Sequence, residues 1–207
     1  MSLLSILGKG GFLMIPLAIC SFIAVIIIVE RLFFLHRAKI NTDQFMNKIG
    51  KLLRDNKVEA GIILCQQTKG PIASIVEAGI QKYDRPREEI KETIESAGKA
   101  EIYILERGLS VLATIAGIAP LLGFLGTVTG MIQAFMKIET LEGNVNPAVL
   151  AGGIWEALLT TAVGLTVGIP TLIFYNYLVN KVQKFVFEME KSSNELVDVL
   201  IQEQENS

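Results

Sequence analysis

The 207 residues include a single histidine, two cysteines and a single tryptophan, and these scarcities exclude a good deal of chemistry. One imidazole cannot build a histidine-based metal site, and His36 lies just past an apolar run, where an interfacial role suffices for it. Cys20 sits inside that apolar run and Cys65 in a charged region. They therefore read as two packing thiols and not as a disulfide framework. There is no phosphate-cradling glycine loop, no nucleophile elbow and no Cys/His cluster, so nothing points to an enzyme, a cofactor or a bound metal. Lys and Arg number 19 against 21 Asp and Glu, a net charge of -2. The positive charges are not gathered on one face, so no nucleic-acid partner is expected. No stretch alternates with the two-residue period of a strand.

A further absence is local. Leu109 to Phe135 carries no charged residue at all, and Trp155 to Tyr177 carries one, Glu156. Both stretches exceed the ~20 apolar residues that cross a hydrocarbon layer of ~30 Å. Phe12 to Val29, dense in isoleucine, is a third. It does not read as a cleaved leader, because Lys9 alone precedes it and it ends in Val29-Glu30-Arg31-Leu32 where small residues would be required. Half of the residues are hydrophobic and the mean hydropathy is +0.47. A membrane protein of all-α class with three spans follows. The division expected is a short interfacial start at 1–11, spans at 12–29, 109–135 and 155–177, a helical domain at 30–108, a loop at 136–154 and a helical tail at 178–207.

Fourteen of the 19 Lys and Arg residues fall between Glu30 and Gly108. Arg31, Arg37 and Lys39 follow the first span, and Lys181 and Lys184 follow the last. The positive-inside rule therefore puts this domain and the C-terminus in the cytoplasm and the N-terminus outside. Helical periodicity runs through the domain. Thr42 could cap a helix bearing Phe45, Met46, Ile49, Leu52 and Leu53; Val58 to Gln67 forms a second; Pro71 opens a third with Ile72, Ile75, Val76 and Ile80 on one side. Asp84 and Pro86 mark the start of a long helix with no obvious stop before Phe135. In the tail, Val182, Phe185, Val186, Met189, Leu196, Val197, Leu200 and Ile201 make an amphipathic stripe. Stripes of that length need covering, which implies association between copies, most naturally as a closed ring.

The two polar spans carry the candidate site. Gly126-x-x-x-Gly130 and Gly164-x-x-x-Gly168 have the small-residue spacing that lets helix backbones approach closely in a membrane. Thr127 and Thr161 lie at one depth, about 9–12 Å below the outer interface, and Pro120 and Pro170 share a deeper level, about 22 Å down. Prolines free backbone carbonyls, which are tolerated where neighbours or water satisfy them. These levels fit a common polar lumen; the other reading of each threonine is a bond back to its own helix or to a neighbour. Glu156 could reach the headgroups or serve as a functional intramembrane acid. It shares a face with Thr160, Val163 and Val167 and lies about 140° around the helix from Thr161. Neither span has an acid near mid-membrane, so a complete proton relay would need one from a partner. A solute carrier is disfavoured by the few spans and the lack of inverted repeats; a non-conducting membrane scaffold is the remaining alternative.

Several segments together carry a family resemblance. Leu105-Glu106-Arg107-Gly108-Leu109, Ala119-Pro120-Leu121-Leu122-Gly123 and Gly126-Thr127-Val128-Thr129-Gly130 resemble the second-span signature of the ExbB/TolQ/MotA proton-channel family. Gly153-Ile154-Trp155-Glu156-Ala157-Leu158-Leu159-Thr160-Thr161-Ala162-Val163-Gly164-Leu165 with Ile169-Pro170 resembles its third-span signature. Met14-Ile15-Pro16-Leu17 and Glu30-Arg31-Leu32 resemble the first. Three spans favour the ExbB or TolQ branch over the flagellar stator. The resemblance implies a homopentamer of three-span subunits with long cytoplasmic helical extensions, in the bacterial inner membrane. Its second and third spans would line a pore holding the single spans of an ExbD- or TolR-like dimer, each with a proton-carrying aspartate. By motif position Thr127, Thr161 and Glu156 would surround that aspartate. Thr160 stands where alanine is common and adds a second hydroxyl. The implied function is conversion of proton motive force into work on a TonB-like protein, or the Tol-Pal role for a TolQ-like subunit.

Overall fold

The computed structural model describes residues 11–140 and 147–206, with side chains omitted at 147–150 and 203–206. Seven α-helices account for nearly all of them: α1 Met14–Arg37, α2 Thr42–Arg54, α3 Val58–Gln67, α4 Pro71–Ile80, α5 Arg87–Glu106, α6 Leu109–Thr140 and α7 Pro147–Asn206. Among the described residues three helical stretches are long and apolar enough to cross a membrane: Met14–Arg37, the run from Arg87 to Thr140, and Ala151–Gln202. The chain divides into two compact units, one of residues 1–30 and 108–177, the other of 31–107 and 178–207.

Two expectations from the sequence change in detail. The long helix expected from Pro86 is broken at Arg107 and Gly108. Arg107 leaves the helix with ψ 128°, and Gly108 takes φ +81°, a conformation glycine adopts without a Cβ penalty. The 136–154 loop is shorter than expected at both ends. Helix α6 continues through Lys137 to Thr140, and α7 begins at Pro147, where proline's fixed φ suits a first helical position. The expected interfacial start lies outside the described residues except for Gly11, and so do residues 141–146 of the loop.

In the first unit the apolar surface is turned outward. Phe12, Ile15, Ile19, Phe22, Val25 and Ile26 of α1 and its approach are all more than half exposed, as lipid-facing side chains of a helix would be. Met14, Leu17, Ala24 and Ile28 are the exceptions, and the first two belong to one cluster. That pair is buried with Ala119 of α6 and is covered by Leu122, Val163 and Val167.

The second unit is a small helical domain with a conventional apolar core. Ile49, Ile72, Ile75, Val76, Ile80, Ile90, Leu178 and Leu196 are almost completely buried. The stripe expected of the tail is buried at Val182, Phe185, Met189, Leu196, Val197 and Leu200, whereas Ser192 is a buried residue that hydrophobic periodicity did not reveal. The N-cap of α2 is Asn41, whose side chain accepts a hydrogen bond from the Gln44 amide at 3.2 Å. Thr42 is the first helical residue instead, and its hydroxyl donates to Glu188 of α7 at 3.0 Å. Arg31 is buried, donates from Nη1 to the Ile104 carbonyl at 3.0 Å, and lies 4.7 Å over the Phe34 ring. It thus satisfies a carbonyl in the last turn of α5 with a positive charge, the sign a helix C-terminus favours.

Gly70 holds the entry to α4. Its φ is +139°, and a side chain there would come within 2.7 Å of the Ala38 carbonyl oxygen. Gly70→Ala is expected to destabilise the chain by about 1–3 kcal/mol, read as a lowered unfolding midpoint in detergent. Burial, and secondarily the nearby Glu77 carboxylate, pushes the Cys65 thiol up to about 12. In the unfolded chain a thiol ionises near pH ~8.5, so between that value and about 12 only the unfolded state loses the proton. Stability contributed by Cys65 should therefore be complete below pH ~8.5 and fall as the pH rises. Iodoacetamide at pH 8 should leave Cys65 of the folded chain unmodified and alkylate it after denaturation.

Candidate functional site

Helices α6 and α7 run past each other along a seam of small residues. On α6 the buried positions are Ala116, Ala119, Gly123, Gly126, Gly130 and Ala134. Facing them, Gly153 abuts Ala134, Ala157 abuts Gly130, Thr160 abuts Gly126, Gly164 abuts Ala119 and Gly123, and Gly168 abuts Pro120. The contact is backbone to backbone at its centre: a Cβ on Gly164 would fall 2.6 Å from the Ala119 carbonyl oxygen and 2.9 Å from the Gly123 Cα. With so little side chain between them the two helices gain dispersion contacts along this seam, the main source of helix association where water cannot drive it.

The prolines fit this seam. Pro120 lacks an amide hydrogen, so the Ala116 carbonyl one turn back loses its helical donor. The Pro120 ring fills the space left by Gly168, where any side chain would meet Cγ at 2.6 Å. Pro170 is exposed, two residues beyond that contact.

The threonines divide by partner. Thr161 donates from Oγ1 to the Gly123 carbonyl of the neighbouring helix at 2.8 Å. Thr127, half-buried, donates to the Phe124 carbonyl of its own helix at 2.6 Å. The antiparallel register set by Gly126 against Thr160 keeps Thr127 and Thr161 within about one helical turn, ~5 Å, along the axis. Thr160 is only 1% exposed; its methyl packs on Gly126 and its hydroxyl bonds to the Glu156 carbonyl at 2.8 Å. In the single chain Thr160 is thus a packing residue of the seam.

Glu156 points elsewhere. Val163 and Val167, which share its face, pack on Met14 and Leu17 of α1. The Glu156 carboxylate itself lies against Gly11, occupying the position a side chain there would take. Glu156 therefore faces α1, whereas Thr161 faces α6, and the two do not share an opening within one chain. Between Leu109 and Met136 and between Ala157 and Asn180 no Asp, Glu, Lys, Arg or His occurs, and the threonine hydroxyls there bond to backbone carbonyls, Thr114, Thr129, Thr166 and Thr171 besides those above.

Ala116, Ala119, Gly123, Ala134, Gly153 and Ala157 are the seam residues that the sequence reading does not name as site candidates. On α6 their signal was present as small residues recurring every three or four positions from Ala116 to Ala134. The glycine pairs drew attention to only part of that row. Gly11 gave no sequence signal, because its contact depends on a residue far along the chain.

A three-helix membrane protein with a small-residue seam and level hydroxyls defines the class; comparison supplies the family. The sequence pattern of the MotA/TolQ/ExbB proton channel family matches residues 67–191, and the chain belongs to that family. An ExbB-like biopolymer transport protein of Synechocystis is 34% identical over 168 residues, 81% of this chain and 80% of its own. An ExbB homologue of Methanothermobacter thermautotrophicus is 26% identical over 91% of this chain and 67% of its own. The biopolymer transport protein ExbB of Aquifex aeolicus is 38% identical over 112 residues, 54% of this chain and 74% of its own.

The seam makes a paired prediction. Gly164→Ala should weaken α6–α7 packing by about 1–3 kcal/mol, as overpacking against backbone does. Gly117→Ala, inside α6 where a Cβ meets nothing within 4 Å, should instead be neutral or stabilise by up to about 1 kcal/mol. Unfolding of the purified chain in mixed micelles measures both.

Proposed function

We propose that this chain is the channel-forming subunit of an inner-membrane energy transducer of the ExbB type, acting as a ring of identical copies, five by family analogy. Its second and third spans enclose the single spans of an ExbD- or TolR-like dimer, and the work is delivered to a TonB-like protein. In this reading the N-terminus is periplasmic and the C-terminus cytoplasmic, which Arg31, Arg37 and Lys39 after the first apolar run and Lys181 and Lys184 after the last support. The observation that supports this reading is that Thr127 and Thr161 lie on two adjoining helices in stretches without charged residues, with Thr161 bonded across to the Gly123 carbonyl and Thr127 to its own helix.

The chemistry follows from where the hydroxyl protons go. Each threonine donates its proton to a carbonyl and so offers oxygen lone pairs, which accept a hydrogen bond from a protonated, neutral carboxyl group. When that acid loses its proton, a hydroxyl can rotate and donate to the carboxylate instead. One pair of side chains thus serves both states of a partner's acid, with a different partner set in each. Moving one charge through 100 mV yields ~2.3 kcal/mol, enough to bias which subunit's threonines the acid prefers. Ion flow is then coupled to motion of the partner within the ring. The chain's part is to supply the hydroxyls, exclude bulk water and hold the ring rigid through the seam.

Thr127→Ala combined with Thr161→Ala should abolish proton-driven uptake while the complex with the single-span partner still purifies at wild-type mass. Thr→Ser at both positions should retain activity, because the hydroxyl remains. Wild-type flux from the double alanine variant, measured in liposomes under an imposed proton gradient, would assign the chain a scaffolding role.

A further inference from the structure

Helix α1 begins without an acid of its own. Its first turn contains no Asp or Glu, although the positive dipole end of a helix N-terminus favours a negative charge. The chain reaches that end through Gly11, which stands at φ +70° and whose carbonyl accepts from the Met14 amide at 3.2 Å. A carboxylate is nevertheless present there, delivered from far along the sequence. Oε1 of Glu156, near the start of the membrane-crossing part of α7, lies in the space a Cβ of residue 11 would fill. Glycine at 11 therefore meets two requirements together: a left-handed backbone and an absent side chain.

The same face of α7 continues the contact inward. Val163 and Val167, seven and eleven residues on from Glu156, pack on Met14 and Leu17, which are 3% and 0% exposed. The α1–α7 contact thus has an apolar body and one charged end, and that charged end is also the single acid of the candidate site.

We propose that Gly11 is a positioning residue for Glu156. The missing side chain admits the carboxylate to the start of α1, where the positive end of the helix dipole favours it. Glu156 is thereby held on the α1 side of α7 and contributes a stationary negative charge beside the threonine level. The mobile acid remains the partner's. This inference deepens the ion-path reading and rests on it only for its effect on flux; the contact itself is independent of that reading.

The test uses the full chain assembled with its single-span partner in liposomes. The infrared carboxylate band of Glu156 is identified as the band that Glu156→Gln removes. In Gly11→Ala that band should shift to the position of a water-exposed carboxylate, and flux should fall about 10- to 100-fold, the scale of a displacement near 1 Å. Adding Glu156→Asp, which withdraws the carboxylate by one methylene, should restore flux to Gly11→Ala, although Glu156→Asp alone lowers it. An unchanged Glu156 band in Gly11→Ala overturns the proposal, as does a double variant in which the two losses multiply. A shifted band with wild-type flux in every variant would support the contact and overturn the ion-path reading.

Discussion

The structure of the membrane unit depends on how closely two backbones approach. Gly123 and Gly164 bring α6 and α7 together with no side chain between them. That approach is what allows Thr161 to reach across to the Gly123 carbonyl at 2.8 Å. A methyl group at Gly164 would press on backbone of α6 and strain the bond that sets the height of the hydroxyl, and one at Gly123 would crowd Thr160 and Thr161. Packing and site geometry are therefore one constraint. The same six buried small residues of α6 that bind the helices together also index Thr127 against Thr161.

The division of labour among the helices follows from what each can bury. Helix α1 is apolar on nearly every side, with only Met14, Leu17, Ala24 and Ile28 buried among its residues before Glu30, so it suits contact with lipid. Helices α6 and α7 bury small residues against each other and turn large apolar side chains outward, among them Leu121, Phe124 and Ile132 of α6 and Leu158, Ile169 and Ile173 of α7. Beyond Tyr177 the requirement changes. There α7 buries Leu178, Val182, Phe185 and Met189, the large apolar residues of a water-soluble core, where the hydrophobic effect operates again. One unbroken helix of 60 residues thus obeys two packing rules in succession, and the sequence changes from Gly and Thr to Leu, Val and Phe where the solvent is expected to change.

Much of this was legible from composition. Uncharged runs longer than a bilayer mark the spans, and three-to-four-residue spacing marks the buried stripes, because both are local patterns. The glycine pairs likewise announced a close helix contact. What stayed hidden depends on distant residues or on backbone torsions. The break at Gly108 was masked by helix-forming neighbours on both sides. Asn41 and Thr42 are both capping types, and only the torsions distinguish them. Thr160 and Thr161 look alike in sequence, yet one packs on Gly126 and the other bonds to Gly123, a difference set by 100° of helical rotation. The role of Glu156 depends on Gly11, some 145 residues away, which no periodicity can reveal.

The central claim is that Thr127 and Thr161 border water in the assembled membrane complex. Thr127→Cys and Thr161→Cys, each placed in a chain lacking Cys20 and Cys65, measure this by their rate of modification with a water-soluble thiol reagent. Both should react when the ring is assembled without its single-span partner and should be protected when the partner is present. Cysteines at these positions that resist the aqueous reagent in the empty ring and react only with a lipid-soluble one would contradict the account.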